Sequence, residues 1–249
     1  MNKSSKTITV ILLLILALTG VGYKAYEFRS QLLVIHENSD PDPYHTQQYA
    51  EANINILKQK SKKVVLVGDS IIYGWKFPNT INEYLLINRG INGERTDELI
   101  GRFTNDVIKI KPQYVVILIG INDAATMYEA DPTGVDLQIQ KIVSNITLMA
   151  ENAKEAGISP VICSILPVNE QYRLPAQDIN QIVRELNHEL ELVSKSEGFI
   201  YADFYTGVAD ENTGMLKSGY SKDGLHPSES GYQQMWTVLA PLLGAGHDV

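Results

Sequence analysis

Cysteine and net positive charge are the two features that this sequence most lacks. Cys163 is the single cysteine among 249 residues, so no disulfide can form within the chain. Its apolar surroundings in the segment PVICSIL predict a buried side chain rather than a reactive thiol. Lys and Arg total 21 against 29 Asp and Glu, a formal net charge of -8, and no basic stripe is present. We therefore expect no nucleic-acid partner, and a small-molecule or glycan-linked substrate.

Motifs of several other enzyme classes are missing as well. The sequence contains no GxSxG nucleophile elbow, no GK[ST] phosphate loop, and neither HExxH nor CxxC for a metal ion. Asp223 and His226 supply only two candidate metal ligands, whereas a catalytic zinc ion takes three from the protein. We therefore expect neither a metal ion nor another cofactor.

The N-terminal part of the sequence differs in character from the rest. Lys3 and Lys6 precede a predominantly apolar run over residues 8–21, the order of charge and apolar residues typical of a secretory signal. The sequence predicts a signal anchor or a signal peptide over residues 1–28, with the remainder outside the cytoplasm. The protein would be membrane-anchored if the segment is retained, and secreted or periplasmic if it is cleaved. No cysteine follows the run, so a lipoprotein anchor is not expected.

Beyond this segment, apolar runs alternate with amphipathic stretches. We predict a linker and a leading helix over residues 29–60 and one folded domain over residues 61–249. Five continuous apolar runs predict strands that are buried on both faces: KVVLVG, YLLINRG, QYVVILIG, SPVICSILP and FIYADF. Because helical stretches separate them, we predict an α/β fold built on a parallel sheet.

Residues capable of catalysis follow several of these strands. Ser70 comes directly after the first strand, Gly90 ends the second, Asn122 follows the third, and Asp223 and His226 come after the fifth. The carboxyl ends of parallel strands share one edge of a sheet, and sites form beyond that edge. We therefore expect these five residues to meet there.

A serine hydroxyl is a weak nucleophile at neutral pH and needs a base to take its proton. Histidine suits this role, and a carboxylate on the other ring nitrogen fixes the required tautomer. A spacing of three residues lets Asp223 reach the His226 ring. The sequence therefore predicts a triad of Ser70, His226 and Asp223. An alternative stays open, in which Asp223 only shapes its loop and Ser70 and His226 form a dyad.

An acyl-transfer site also needs hydrogen-bond donors for the oxyanion that forms in the transition state. The backbone N–H groups of Ser70 and Gly90 and the side-chain amide of Asn122 are the predicted donors. Asp69, beside Ser70, is interpreted as a turn-forming and helix-capping residue, and Asp123, beside Asn122, as a capping residue or one that supports the site residues from behind.

Four segments resemble, in order, the four sequence blocks of the SGNH (GDSL-type) hydrolase superfamily: VGDSIIYGW, NRGING, LIGINDA and DGLHPSESGY. Ile71 stands where the usual signature has leucine, which keeps the apolar character. The resemblance implies a flavodoxin-like three-layer α/β/α sandwich with a five-stranded parallel sheet. It also implies that Ser70 is the nucleophile, that Asp223 and His226 complete the triad, and that Gly90 and Asn122 serve the oxyanion hole.

The resemblance predicts a serine ester hydrolase that works through an acyl-enzyme on a short-chain acyl ester or a lysophospholipid. Two alternatives remain open: a carbohydrate O-acetyl esterase of the same superfamily, and an SGNH-like binding module without activity. We expect substrate choice to lie in two polar, tyrosine-containing loops, residues 167–178 and 204–222.

Overall fold

The computed structural model describes residue 42 and residues 44–130 and 135–243. The predicted membrane segment, residues 1–28, lies outside the described residues, and so does most of the predicted linker. Within the described ranges, no helix is both long enough and apolar enough to cross a membrane.

Six strands form one sheet in the order β2-β3-β1-β4-β5-β6. Their bounds are β1 (Lys62–Gly68), β2 (Thr80–Ile81), β3 (Tyr84–Gly90), β4 (Tyr114–Leu118), β5 (Ser159–Cys163) and β6 (Ile200–Ala202). All neighbouring pairs are parallel except β2 with β3, which is antiparallel. The predicted α/β fold with a parallel sheet is confirmed. The five parallel strands are those predicted, and β2 is an additional strand, too short at two residues to show in the apolar pattern.

Eight α-helices in the described part of the chain flank the sheet. They are α1 (Ala50–Leu57), α2 (Ser70–Gly74), α3 (Thr96–Asp106), α4 (Ile121–Ala130), α5 (Val135–Glu155), α6 (Ala176–Glu197), α7 (Phe204–Val208) and α8 (Glu229–Leu242). A short 3-10 helix, Ile108–Ile110, follows α3. Helix α3 packs against α1 and α5, α6 packs against α4 and α5, and α7 packs against α8.

β4 and the part of β1 that follows its two initial lysines are apolar because helices cover both faces of the central sheet. Every residue of β4 is buried, and so is every residue of β1 except the first. The sheet therefore forms the middle of the hydrophobic core and gives the site a rigid base.

The register of the central strands brings their carboxyl ends together. Gly68, the last residue of β1, pairs with Gly90 of β3 on one side and with Leu118 of β4 on the other. Ser70, the β3–α3 loop (residues 91–95) and the start of α4 leave the sheet from these three adjacent ends. The first three predicted site segments consequently lie side by side.

Candidate active site

Ser70 stands at the turn between β1 and α2. Asp69 precedes it as the N-cap of α2, and its Oδ1 accepts a hydrogen bond from the N–H of Ile71 at 2.9 Å. The hydroxyl of Tyr232, on α8, donates to the carbonyl oxygen of Ile71 at 2.8 Å. These bonds hold the first turn of α2 from two sides and present a half-buried Ser70 at the edge of the sheet.

The ring of His226 lies between Ser70 and Asp223. Its Nε2 is 2.8 Å from Oγ of Ser70, and its Nδ1 is 2.7 Å from Oδ2 of Asp223. A proton on Nδ1 that is donated to Asp223 leaves the Nε2 lone pair facing the serine hydroxyl, as a general base requires. The side chains of His226 and Asp223 are 45% and 56% exposed, so a substrate in solution can reach them.

Asp223 also shapes the turn that carries it. Its Oδ1 accepts hydrogen bonds from the N–H of Leu225 at 3.0 Å, the N–H of His226 at 2.8 Å and the hydroxyl of Ser221 at 3.1 Å. Desolvation raises the pKa of Asp223, but bonds from the His226 ring and the two N–H groups outweigh it and bring the pKa to about 2. One carboxylate oxygen thus organises the turn while the other contacts the histidine ring.

Asn122 lies in the first turn of α4 and is half-buried. Its Nδ2 donates to the backbone carbonyl of Glu94 at 3.0 Å. An amide nitrogen carries two hydrogens, so a second N–H remains for another acceptor. The bond also ties the start of α4 to the β3–α3 loop.

Gly90 does not offer the free N–H that the sequence led us to expect. Its N–H donates to Oδ1 of Asn88 at 2.9 Å. A Cβ at this position would lie 2.1 Å from the backbone nitrogen of Tyr73, so only glycine lets α2 approach β3 this closely. We therefore correct the prediction for Gly90: it allows α2 to pack closely on the sheet, and its N–H is already bonded to Asn88.

Gly93, three residues further on, has the geometry that Gly90 lacks. The N–H of Glu94 donates to the carbonyl of Ile91 at 3.3 Å, and the φ angle of Gly93 is 77°, as in a type II turn with glycine at its third position. The N–H of Ile91 donates to the carbonyl of Gly68 at 2.9 Å, which holds the turn against the end of β1. Within the described part of the chain, the N–H of Gly93 has no hydrogen-bond partner. Both Gly90 and Gly93 belong to the segment NRGING, so the sequence motif already contained the second glycine.

Two carboxylates with raised pKa values lie next to these residues. Asp69 is 1% exposed, and its Oδ2 has no hydrogen-bond partner among the described residues. Desolvation raises the pKa of Asp69 to about 7. Asp123 accepts from the N–H of Thr96 at 3.1 Å and from its hydroxyl at 2.6 Å, at the start of α3, and desolvation raises the pKa of Asp123 to about 6. The capping role predicted for Asp69 is confirmed, whereas Asp123 binds the first residue of a neighbouring helix, whose own N-cap is Arg95.

The model of the GDSL-like Lipase/Acylhydrolase family matches residues 66–234 of this sequence. The match covers more than half of the chain and includes every residue of the site described above. The chain belongs to the GDSL-like lipase/acylhydrolase family. The resemblance found in the sequence is thereby confirmed.

Solved structures and a curated protein resemble this family member to different degrees. A GDSL-like lipase from Bacteroides thetaiotaomicron is 28% identical, with a TM-score of 0.69 over 80% of this chain and 97% of that one. A variant of an acetyl xylan esterase from Geobacillus stearothermophilus is 16% identical, with a TM-score of 0.60 over 74% of this chain and 94% of that one, and shows the common fold. The uncharacterized lipoprotein YqeF of Bacillus subtilis is 33% identical over 85 residues, which are 34% of this chain. The matched residues are likewise 34% of that relative's length, so the match spans about a third of each protein.

Two cavities lie beside the site of this GDSL-like family member. The first, of about 570 Å³, begins at Pro227, next to His226, and has aromatic walls with polar side chains among them: Trp75, Phe77, Tyr232, Trp236, Lys76, Glu229 and Gln233. Trp75 is 4% exposed and stacks on Tyr232 at 5.6 Å, so it both packs and lines a cavity. The second, of about 400 Å³, is formed by residues of both predicted substrate loops. Among the described residues, no group of three or more His, Cys, Asp or Glu could hold a metal ion.

Proposed function

We propose that this protein is a serine ester hydrolase that works through an acyl-enzyme. The observation that carries the proposal is the His226 ring, with Nε2 at 2.8 Å from Ser70 Oγ and Nδ1 at 2.7 Å from Asp223 Oδ2. This is the arrangement in which a base activates a nucleophile and a third group orients the base. Membership of the GDSL-like lipase/acylhydrolase family supports the same class of reaction.

In the first half of the reaction, Ser70 Oγ attacks the ester carbonyl carbon while His226 Nε2 takes the hydroxyl proton. The bond between that carbon and the alcohol oxygen then breaks, and the imidazolium returns the proton to the departing alcohol. Asp223, ionised because its pKa is about 2, stabilises the imidazolium between these two steps.

In the second half, a water molecule attacks the acyl-enzyme and gives its proton to His226 Nε2. The bond between the acyl carbon and Ser70 Oγ breaks, and the serine recovers its proton from the ring. The products are one carboxylic acid and one alcohol, and no cofactor is consumed.

Three donors are proposed to stabilise the oxyanion of both tetrahedral intermediates. They are the backbone N–H groups of Ser70 and Gly93 and the second N–H of the Asn122 side chain. Ser70 and Asn122 are those predicted from the sequence, whereas Gly93 replaces Gly90. All three are neutral donors fixed in place before the charge develops, the condition under which such groups lower a barrier most.

The proposed acyl group is short. The cavity beside the turn of Asp223 is lined mainly by polar side chains of residues 169–171 and 210–221. A long acyl chain would need a continuous apolar channel to leave water. A short-chain acyl ester therefore fits this surface better than a lysophospholipid.

A carbohydrate O-acetyl esterase is the second candidate, and the aromatic cavity next to His226 favours it. Aromatic faces pack against the apolar face of a sugar ring, while Lys76, Glu229 and Gln233 offer hydrogen-bond partners to its hydroxyl groups. The cavity starts on the His226 side of the site, from which the departing alcohol receives its proton. One structural neighbour is an acetyl xylan esterase, although at 16% identity it supports the fold alone.

The proposed location is the outer face of a membrane, with residues 1–28 as the anchor. The lysines followed by an apolar run support this proposal. The relative named a lipoprotein fits an extracytoplasmic setting, but the single cysteine of this chain, Cys163, is buried in β5 and is no attachment point for a lipid. Membrane fractionation of the full-length protein tests the location. Recovery of a soluble protein starting near Tyr23 would show that the segment is cleaved.

The function is tested by hydrolysis of nitrophenyl esters of increasing acyl length and of an acetylated polysaccharide, with Ser70→Ala as the control. We expect turnover that is greatest for short acyl groups and is lost in Ser70→Ala. Preference for the polysaccharide would select the carbohydrate esterase. Absence of Ser70-dependent turnover on every ester would contradict the proposal and leave a binding module.

A further inference from the structure

Residues 44–57, which we call the strap, run along the outside of α3 and end with α1. They belong to the same structural unit as the rest of the domain. The strap is fitted closely to α3, because a Cβ at Gly101 would lie 2.4 Å from the Tyr44 ring. Asn53 of the strap, only 7% exposed, donates to Oδ1 of Asp106 at 2.5 Å and accepts from Nε of Arg89 at 2.9 Å. A segment that only linked the domain to an anchor would not need such contacts.

Tyr49 extends these contacts from the strap to the active-site edge of the sheet. The guanidinium carbon of Arg89 lies 4.6 Å from the centre of the Tyr49 ring. The Tyr49 hydroxyl donates to the backbone carbonyl of Gly90 at 2.5 Å. Burial raises the pKa of Tyr49 above its ordinary value of 10.0, so the hydroxyl keeps the proton that it donates. Gly90 is the last residue of β3, and the β3–α3 loop begins directly after it.

Arg102, on α3, binds residues at both ends of the β3–α3 loop. Its guanidinium donates to the carboxylate of Glu94 through two nitrogens, each at 2.5 Å, and to the carbonyl of Arg89 at 2.7 Å. A further bond reaches Oδ2 of Asp106 at 2.7 Å. Arg102, Glu94 and Asp106 have fully buried side chains, so these bonds are shielded from water.

Gly93 lies in the loop between two anchored positions, Gly90 at its start and Glu94 near its end. Tyr49 and Arg102 fix the entry to the loop at Arg89 and Gly90, and Arg102 and Asn122 fix its exit at Glu94. An oxyanion donor must be within a fraction of an ångström of its productive position to be effective. The position of the Gly93 N–H therefore depends in part on bonds made by Tyr49 and Arg102, neither of which is among the proposed catalytic residues.

We propose that the strap is part of the catalytic apparatus and that Tyr49 is a positioning residue, acting through Gly90 on the Gly93 N–H. This inference rests on the ester hydrolase function proposed above. Residues 44–57 would thus help to position the oxyanion hole, although they precede the first strand of the sheet.

Tyr49→Phe in the full-length protein removes the hydroxyl and keeps the ring against Arg89. We expect kcat to fall about tenfold with KM nearly unchanged, below the roughly 10²-fold cost of a 1 Å displacement. The affinity of an alkylboronic acid, which forms a tetrahedral adduct with the serine, should fall by a similar factor. Tyr201→Phe is the matched control, since its hydroxyl also donates to a backbone carbonyl, that of Asn187, at 3.3 Å and away from the loop.

Equal kcat and equal boronic acid affinity in Tyr49→Phe and wild type would overturn the proposal, provided that wild type shows Ser70-dependent turnover. If wild type shows none, the proposed function fails instead, and amide hydrogen exchange of residues 91–95 decides the positioning role alone. Faster exchange in Tyr49→Phe than in Tyr201→Phe supports it, and equal exchange overturns it.

Discussion

His226 Nε2 lies 2.8 Å from Ser70 Oγ, although 156 positions separate the two residues in the chain. Ser70 leaves the central strand β1, and His226 sits in the turn that precedes the last described helix, α8. The hydroxyl of Tyr232, on α8, donates to the carbonyl oxygen of Ile71, on α2, and so ties the helix that follows His226 to the helix that begins with Ser70. The closeness of Ser70 and His226 is thus a property of the packed domain rather than of either local segment.

Asp223→Asn should lose most of the activity while the protein stays folded. An asparagine keeps an acceptor for the N–H groups of Leu225 and His226, but its NH₂ group can no longer accept the Nδ1 proton. In a comparable triad the wrong tautomer costs on the order of 10⁴ in kcat. The measurement is kcat on a short-chain ester, with Asp136→Asn on the exposed start of α5 as control. A nearly full rate in Asp223→Asn would reduce the site to a Ser70–His226 dyad.

Asn122→Ala should lower kcat by about 10²–10³ with a small change in KM, because the amide acts on charge that develops in the transition state. Asn152→Ala, which truncates an exposed asparagine on α5, is the control and should match wild type. A rise in KM at constant kcat would instead assign Asn122 to binding of the ground-state substrate.

Asp69→Asn should remove part of the pH dependence of folding stability. In the unfolded chain Asp69 loses its proton near its ordinary pKa of 3.8, whereas in the folded protein burial raises the pKa to about 7. Between these pH values Asp69 is protonated in the folded state and ionised in the unfolded state, so its contribution to stability falls as pH rises from about 4 to about 7. The loss is about 4 kcal/mol at about 1.4 kcal/mol per unit of pKa shift.

Chemical denaturation of wild type and Asp69→Asn at several pH values measures this effect. Asparagine can still accept from the N–H of Ile71, so the cap of α2 survives. Asp203→Asn is the control, because Asp203 caps α7 in the same way but is exposed. Parallel stability curves for wild type and Asp69→Asn over this range would show that Asp69 is not the group responsible.

Arg102→Met should destabilise the protein by about 3–5 kcal/mol, since it leaves Glu94 and Asp106 buried without their partner. Lys62→Met removes the cation of the exposed pair with Glu83 and should leave the stability nearly unchanged. Urea denaturation of both variants gives the comparison. Equal effects would mean that water reaches Arg102 in the folded protein.

Much of the fold could be predicted from the sequence because the parallel strands are continuous apolar runs between amphipathic helices. The parts that were missed are short or weakly patterned. β2 has two residues, α2 and α7 have five each, and the buried face of α4 carries two alanines beside Ile121 and Met127. Such elements form because the surrounding core holds them, and local sequence carries little of that information.

The site shows the same division. Ser70, Asp223 and His226 could be named from the sequence, since their chemistry and order restrict the choice. The sequence pointed to Gly90 because it ends the second predicted strand and has no side chain, but Gly93 stands only three residues further on. Only the register that pairs Gly90 with Gly68, and the turn that gives Gly93 its positive φ, distinguish a packing glycine from a free donor. The contribution of Tyr49 has no signature in the sequence at all.

The outermost strands of the sheet are its shortest, with two residues in β2 and three in β6, against five to seven in the strands between them. An unpaired strand edge is a template on which another chain can add a strand and begin to polymerise. In the described part of the chain, each edge of the sheet offers only two or three residues for such pairing. Edges this short disfavour the addition of a strand from another chain.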